Sequence, residues 1–187
     1  MKSAKKLVLI LFAIIVILFL ILILVPSPNK KSPINNSKGS MLILSPSFTG
    51  NGKIPAKFTC DGGNINPELQ IQNIPAGTKS LALILDDPDA TRGITFTHWL
   101  IWNIDPETIN IKQESKSANS IEGLNDAQEI GYTGPCPPVG KPHRYFFKLY
   151  ALDIVLDLKS GSTKAELETA INSHVIEKTE LIGIYER

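Results

Sequence analysis

The chain has 187 residues, 43% of them hydrophobic, and a formal net charge of +1. That length accommodates one globular domain and an additional segment. The near-neutral charge argues against a nucleic-acid partner, which calls for a basic patch, and no internal repeat at solenoid or propeller periods is present.

The additional segment is N-terminal. Leu7 to Val25 is uninterrupted apolar sequence, preceded by Lys2, Lys5 and Lys6. It runs for about 19 residues, or roughly 28 Å as a helix, against a hydrocarbon core of about 30 Å. Val25-Pro26-Ser27 is a poor cleavage site, and no lipidation cysteine follows the run. Residues 1–25 are therefore expected to form one N-terminal transmembrane helix, a retained single-pass signal anchor. The N-terminus would lie inside and the domain outside the cytoplasm. A cleaved signal peptide is the alternative. Residues 26–40, rich in Pro and Ser, read as a flexible linker. Asn35-Asn36-Ser37 fits a glycosylation sequon, or a chance match in an Asn/Ser-rich stretch.

The domain is expected over residues 41–187. Met41 to Leu44 opens it as a short strand, and Leu69 to Gln72 alternates as a strand does. Ser80 to Asp86, His98 to Ile104 and Tyr145 to Leu152 are continuous apolar runs, as in strands buried between layers. Trp99 and Trp102 fall on opposite faces of their strand by parity. Ile109 to Ile111 and Ile121 to Leu124 are weaker strand candidates, and Leu181 to Tyr185 is a last one. Thr163 and Glu166 have capping-box spacing. Leu167, Ala170, Ile171, His174 and Val175 then recur on one helical face, with His174 as a boundary packing residue. The expected class is all-β, a mainly antiparallel Greek-key sandwich with one C-terminal helix.

Two stretches carry the chemistry. In Gly131 to Tyr145, GYTGPCPPVGKPHRY, prolines stiffen a loop that ends in His143, Arg144 and Tyr145. In Leu81 to Ile104, one apolar run ends in Asp86-Asp87-Pro88-Asp89 and the next opens with His98. Histidines near their reference pKa of about 6.5 can give charge-assisted donors to an oxyanion. An aspartate beside them would orient and charge an imidazole, or meet a cationic head such as ethanolamine. A zinc site from two histidines and a carboxylate is an alternative that lacks a short-spaced ligand pair. A Cys136–His143–Asp nucleophilic arrangement is another, without a sign that Cys136 is activated. A polar cluster that only ties loops together is a third. Arg144, opposite in parity to its neighbours, is expected to pair with an acid in the scaffold.

These residues, taken as Phe58-Thr59-Cys60-Asp61-Gly62, Asp87-Pro88-Asp89-Ala90, His98-Trp99 and Gly134-Pro135-Cys136-Pro137-Pro138 leading to His143-Arg144-Tyr145, resemble the phosphatidylethanolamine-binding protein family. The similarity is to its bacterial and archaeal Raf kinase inhibitor-like branch. Thr91 stands where the family's first motif usually closes with proline. The resemblance implies a Greek-key sandwich with a covering helix. It also implies a small anion-binding pocket lined by Asp87, Asp89, His98, Pro137, His143 and Tyr145. Cys60 and Cys136 would be neighbours at its rim, able to form a disulfide. The implied ligand is a phospholipid head group or another phosphate ester. An inhibitory or regulatory protein partner, a protease or a kinase, is the alternative, and a hydrolase is a distant third. No catalytic residue, metal or cofactor is expected, and no nucleic-acid partner.

Overall fold

The structure, a computed structural model, describes residues 39–187. The expected membrane segment, nearly all of the linker and the sequon lie outside those residues. Among the described residues no helix is long and apolar enough to cross a membrane. The expected fold class and localisation are corrected accordingly. The described architecture is mainly β with one C-terminal helix, and the transmembrane helix and single-pass placement find no support in it.

Two sheets form the body. β1 (Leu42–Leu44), β3 (Leu69–Gln72) and β6 (Asn110–Ile111) make a three-stranded antiparallel sheet in the order β1-β3-β6. The larger sheet has the order β2-β9-β8-β4-β5-β7. Its strands are β2 (Gly52–Lys53), β9 (Val175–Tyr185), β8 (His143–Leu152), β4 (Ser80–Asp87), β5 (Phe96–Ile104) and β7 (Ile121–Glu122). All its pairs are antiparallel except β2 with β9.

The apolar runs are continuous because the large sheet is covered on both faces. In β4, Leu81, Leu83 and Leu85 join the core between the sheets, with Trp99, Ile101, Phe147 and Leu149. Ala82 and Ile84 point the other way, into a second cluster with Leu100, Trp102, Leu167 and Ile171. Leu167 and Ile171 come from α1 (Lys164–Ile171), whose capping box is formed by Thr163 and Glu166. Both tryptophans are therefore core residues, on opposite faces, each at most 1% exposed.

The helix is shorter than its periodicity suggests. It stops at Ile171 because Ser173 takes a left-handed conformation, φ 69°. Val175 then begins β9, which extends the expected Leu181–Tyr185 strand by six residues. His174 is half-buried and its Nδ1 lies 2.8 Å from Asp153 Oδ1.

Candidate functional site

The site sits where the ends of β4, β5 and β8 meet the loop at 131–142. Asp87 ends β4 and His143 begins β8. Their side chains are 5% and 6% exposed, and His143 Nδ1 lies 2.8 Å from Asp87 Oδ2. The other carboxylate oxygen, Oδ1, accepts the backbone N–H of Asp89 at 2.9 Å. Asp87 thus has both oxygens held by the scaffold, and of its two sequence-level roles the geometry favours orienting an imidazole.

His98 reaches the same side through a β-bulge. Leu85 pairs with Trp99 and Asp86 with Thr97, so His98 is the extra residue. Strict alternation would turn His98 away from Trp99. The bulge instead packs its ring against Phe96, with centroids 4.7 Å apart, and edge-on to Tyr145 at 5.3 Å. Thr133 holds it from above. The Thr133 backbone N–H donates to the His98 carbonyl, and the Thr133 carbonyl accepts from His98 Nδ1, both at 2.9 Å. Burial pushes the His98 pKa down, only partly offset by the Thr133 carbonyl and by Asp87, Asp86 and Asp126. The neutral ring is favoured, which departs from the expectation of two charged imidazole donors.

The proline loop is seated by close contact with the turn at 58–64. A Cβ on Gly134 would stand 2.6 Å from the Phe58 carbonyl oxygen, so only glycine lets the two backbones approach this far. The Gly134 N–H donates to Asn64 Oδ1 at 2.7 Å, the Tyr132 hydroxyl to the Phe58 carbonyl at 2.6 Å, and the Cys60 N–H to the Pro135 carbonyl at 3.1 Å. Cys60 and Cys136 are bonded across this seam, with Cα atoms 5.4 Å apart.

A pocket of about 400 Å³ results, lined on its polar side by Asp87, His98, Thr133, His143 and Arg187 and on its apolar side chiefly by Ala90, Phe96, Pro137 and Pro138. Of the six expected residues, Asp87, His98, Pro137 and His143 come together here. Asp89 and Tyr145 do not line it. Asp89 turns outward, where Arg144 binds it through Nε at 2.8 Å and Nη2 at 2.7 Å. Those bonds hold the Asp89 carboxyl at about 2. Tyr145 is fully buried with its ring against His98, and burial followed by the charge of Asp87 raises its pKa. Thr91 lines the pocket edge from a short 3-10 turn over Thr91–Gly93.

Arg187 is the lining residue that comes from outside the two stretches expected to carry the chemistry, and sequence reasoning missed it along with Phe96 and Thr133, which lie within them. Its Nε lies 3.1 Å from Asp61 Oδ1, and its Nη1 lies 3.8 Å from Cys136 Sγ. The signal for it is strand register alone: His143 pairs with Tyr185, so whatever follows β9 arrives at the start of β8.

Residues 44–186 match the family described as phosphatidylethanolamine-binding protein. A UPF0098 protein of Methanothermobacter thermautotrophicus is 45% identical over 152 residues, spanning 79% of this chain and 99% of that one. The chain belongs to the phosphatidylethanolamine-binding protein family. A UPF0098 protein of Pyrococcus horikoshii is 50% identical over 153 residues, covering 78% of this chain and 77% of its own. Among solved structures, a phosphatidylethanolamine-binding protein homologue from Chlamydia trachomatis superposes with a TM-score of 0.76 at 39% identity, covering 79% of this chain and 98% of its own. YbcL of E. coli gives 0.75 at 29% identity, with 80% and 99% covered.

In this member of the phosphatidylethanolamine-binding protein family the sequence-level rivals meet specific obstacles. Cys136 shares its sulfur with Cys60, which removes the thiol that a nucleophilic mechanism needs. Among the described residues no group of three or more His, Cys, Asp or Glu side chains is placed to hold a metal ion. His98 Nδ1 is also turned to a carbonyl rather than into the pocket.

Proposed function

We propose that this domain binds the phosphate of a small phosphate ester, a phospholipid head group among them, in the pocket between the ends of β4, β5 and β8 and the proline loop. The observation that carries the reading is the buried Asp87–His143 pair at the pocket wall. A carboxylate held on Nδ1 leaves Nε2 as the only ring atom free for a ligand. It also fixes the ring orientation before a ligand arrives. Arg187 adds a guanidinium at the rim, already partly neutralised by Asp61. Phe96, Ala90 and Pro137 offer apolar surface to the carbon portion of the ester.

Titration calorimetry with phosphoethanolamine, comparing the parent chain with His143→Ala and Lys53→Ala, tests this. Loss of the imidazole should weaken binding by about 1.5–3 kcal/mol, because Asp87 then faces the anion with nothing between. Lys53, exposed on β2 and absent from the pocket lining, should matter little. Equal affinity of His143→Ala and parent at every pH would leave the cluster with a purely structural role.

A further inference from the structure

The hydrogen-bonding polarity of the two imidazoles narrows the ligand further, and this inference rests on the anion-pocket reading. Each ring has its Nδ1 committed. His98 Nδ1 faces the Thr133 carbonyl, which can only accept, so that nitrogen carries a proton. His143 Nδ1 faces the Asp87 carboxylate, which as an anion also only accepts. In their neutral forms both rings therefore turn a lone pair, Nε2, to the ligand. Two lone pairs repel a bare anion, so at least one further proton must be present in the complex.

Of the two rings, His143 is the one with a carboxylate, 2.8 Å from its Nδ1, to face an imidazolium. His98 has only a carbonyl there, and its ring is enclosed by Phe96 and Tyr145. The charged groups that act on His98 from the surrounding elements are Asp86 and Asp87 at the end of β4 and Asp126 in the loop beyond β7. His143 and Arg187 share the cavity with it. Burial outweighs the three carboxylates and shifts the His98 ring toward its neutral form. Of the two imidazoles, His143 is thus the donor and His98 the acceptor, with the Arg187 guanidinium at the rim beside them.

We propose that the pocket selects a phosphomonoester in its monoanionic, still protonated form, whose P–OH donates to His98 Nε2 while a charged oxygen accepts from His143 Nε2–H. A phosphodiester has the same charge and no proton to give, so its oxygens meet the His98 lone pair unpaired.

Methyl phosphate and dimethyl phosphate separate the two cases, since near pH 5.5 both are largely monoanions and differ by one O–H. Titrated into the full chain at that pH, methyl phosphate should bind about tenfold more tightly, one hydrogen bond plus the avoided unpaired contact. The ratio should fall to within about threefold at pH 8, where methyl phosphate has lost its second proton (pKa about 6). The diester serves as the reference, so titration of the protein cancels in the ratio. A ratio near one at both values, or one that rises with pH, overturns the donor–acceptor inference while the anion pocket stands. Failure of both ligands to bind overturns both. Nitrogen-15 NMR of the histidine rings gives a second readout. His98 should keep an unprotonated Nε2 with methyl phosphate bound, and a doubly protonated His98 ring in that complex refutes the assignment.

Discussion

Replacing Gly134 by alanine tests how the pocket loop is held. The added Cβ would lie 2.6 Å from the Phe58 carbonyl oxygen, 2.8 Å from Asn64 Oδ1 and 2.9 Å from Thr59 Cα. Two of these are backbone atoms, and they belong to the turn that the Cys60–Cys136 bond ties to the loop. Neither partner can rotate out of the way, so the loop has to lift. Overpacking of this kind costs about 1–3 kcal/mol. Lifting also stretches the Gly134–Asn64 and Cys60–Pro135 hydrogen bonds, each worth about 1 kcal/mol net. The expected loss is about 2–4 kcal/mol by urea unfolding, with the denaturant slope unchanged. Phosphoethanolamine binding should weaken as well, because Thr133 and Pro137 move with the loop. Gly50→Ala is the control: nothing stands within 4 Å of its would-be Cβ. If Gly134→Ala unfolds within about 0.5 kcal/mol of the parent, the close seating of the two loops does not exist as described.

Other perturbations have equally definite outcomes. The Cys60–Cys136 bond spans 76 positions, so the double serine variant should lose about 4.5 kcal/mol in the chain-entropy account. Thiol labelling of the protein unfolded without reductant should find no free thiol, and two labelled thiols would refute the bond. Asp86 is fully buried between Lys148 and Lys164, each 2.8 Å from its Oδ2. Lys148→Met with Lys164→Met should cost about 3–5 kcal/mol by leaving a buried carboxylate unpaired. Adding Asp86→Leu should recover most of it, and failure to recover would show that the charge was not the cause. Asp89, held at about 2 by Arg144, has a folded pKa below its unfolded one. Its contribution to stability is therefore complete above the ordinary carboxylate range of about 4 and lost as pH falls toward about 2. An NMR titration of Asp89 with a midpoint near about 4 would contradict that.

What the sequence conveyed and what it withheld follow from one distinction. Burial on both faces of a sheet leaves a mark in composition, so Ser80 to Asp86 and Tyr145 to Leu152 were legible as strands from their apolar runs. The first half of β9, Val175 to Glu180, covers no core on its outer face and carries charges at Glu177, Lys178 and Glu180. Nothing in its composition sets it apart from a loop or the tail of a helix, and the helical period read from the sequence ran on into its first residue, Val175. The pocket depends on register rather than composition. Asp87, His98 and His143 were nameable because each stands at the end of a readable run, but the bulge that turns His98 inward is a pairing defect between Leu85 and Asp86, invisible in either strand alone. Asp89 was placed in the pocket with Asp87 only by the family resemblance of the Asp87-Pro88-Asp89-Ala90 motif. The chain leaves β4 after Asp87, parity lapses, and Arg144 on β8 takes the outward carboxylate. Arg187 shows the same logic in reverse. It has no motif, and it enters the site only because β9 runs antiparallel to β8 and delivers its end to His143. A substitution that shifts the β8–β9 register should therefore harm ligand binding more than its distance from the pocket suggests.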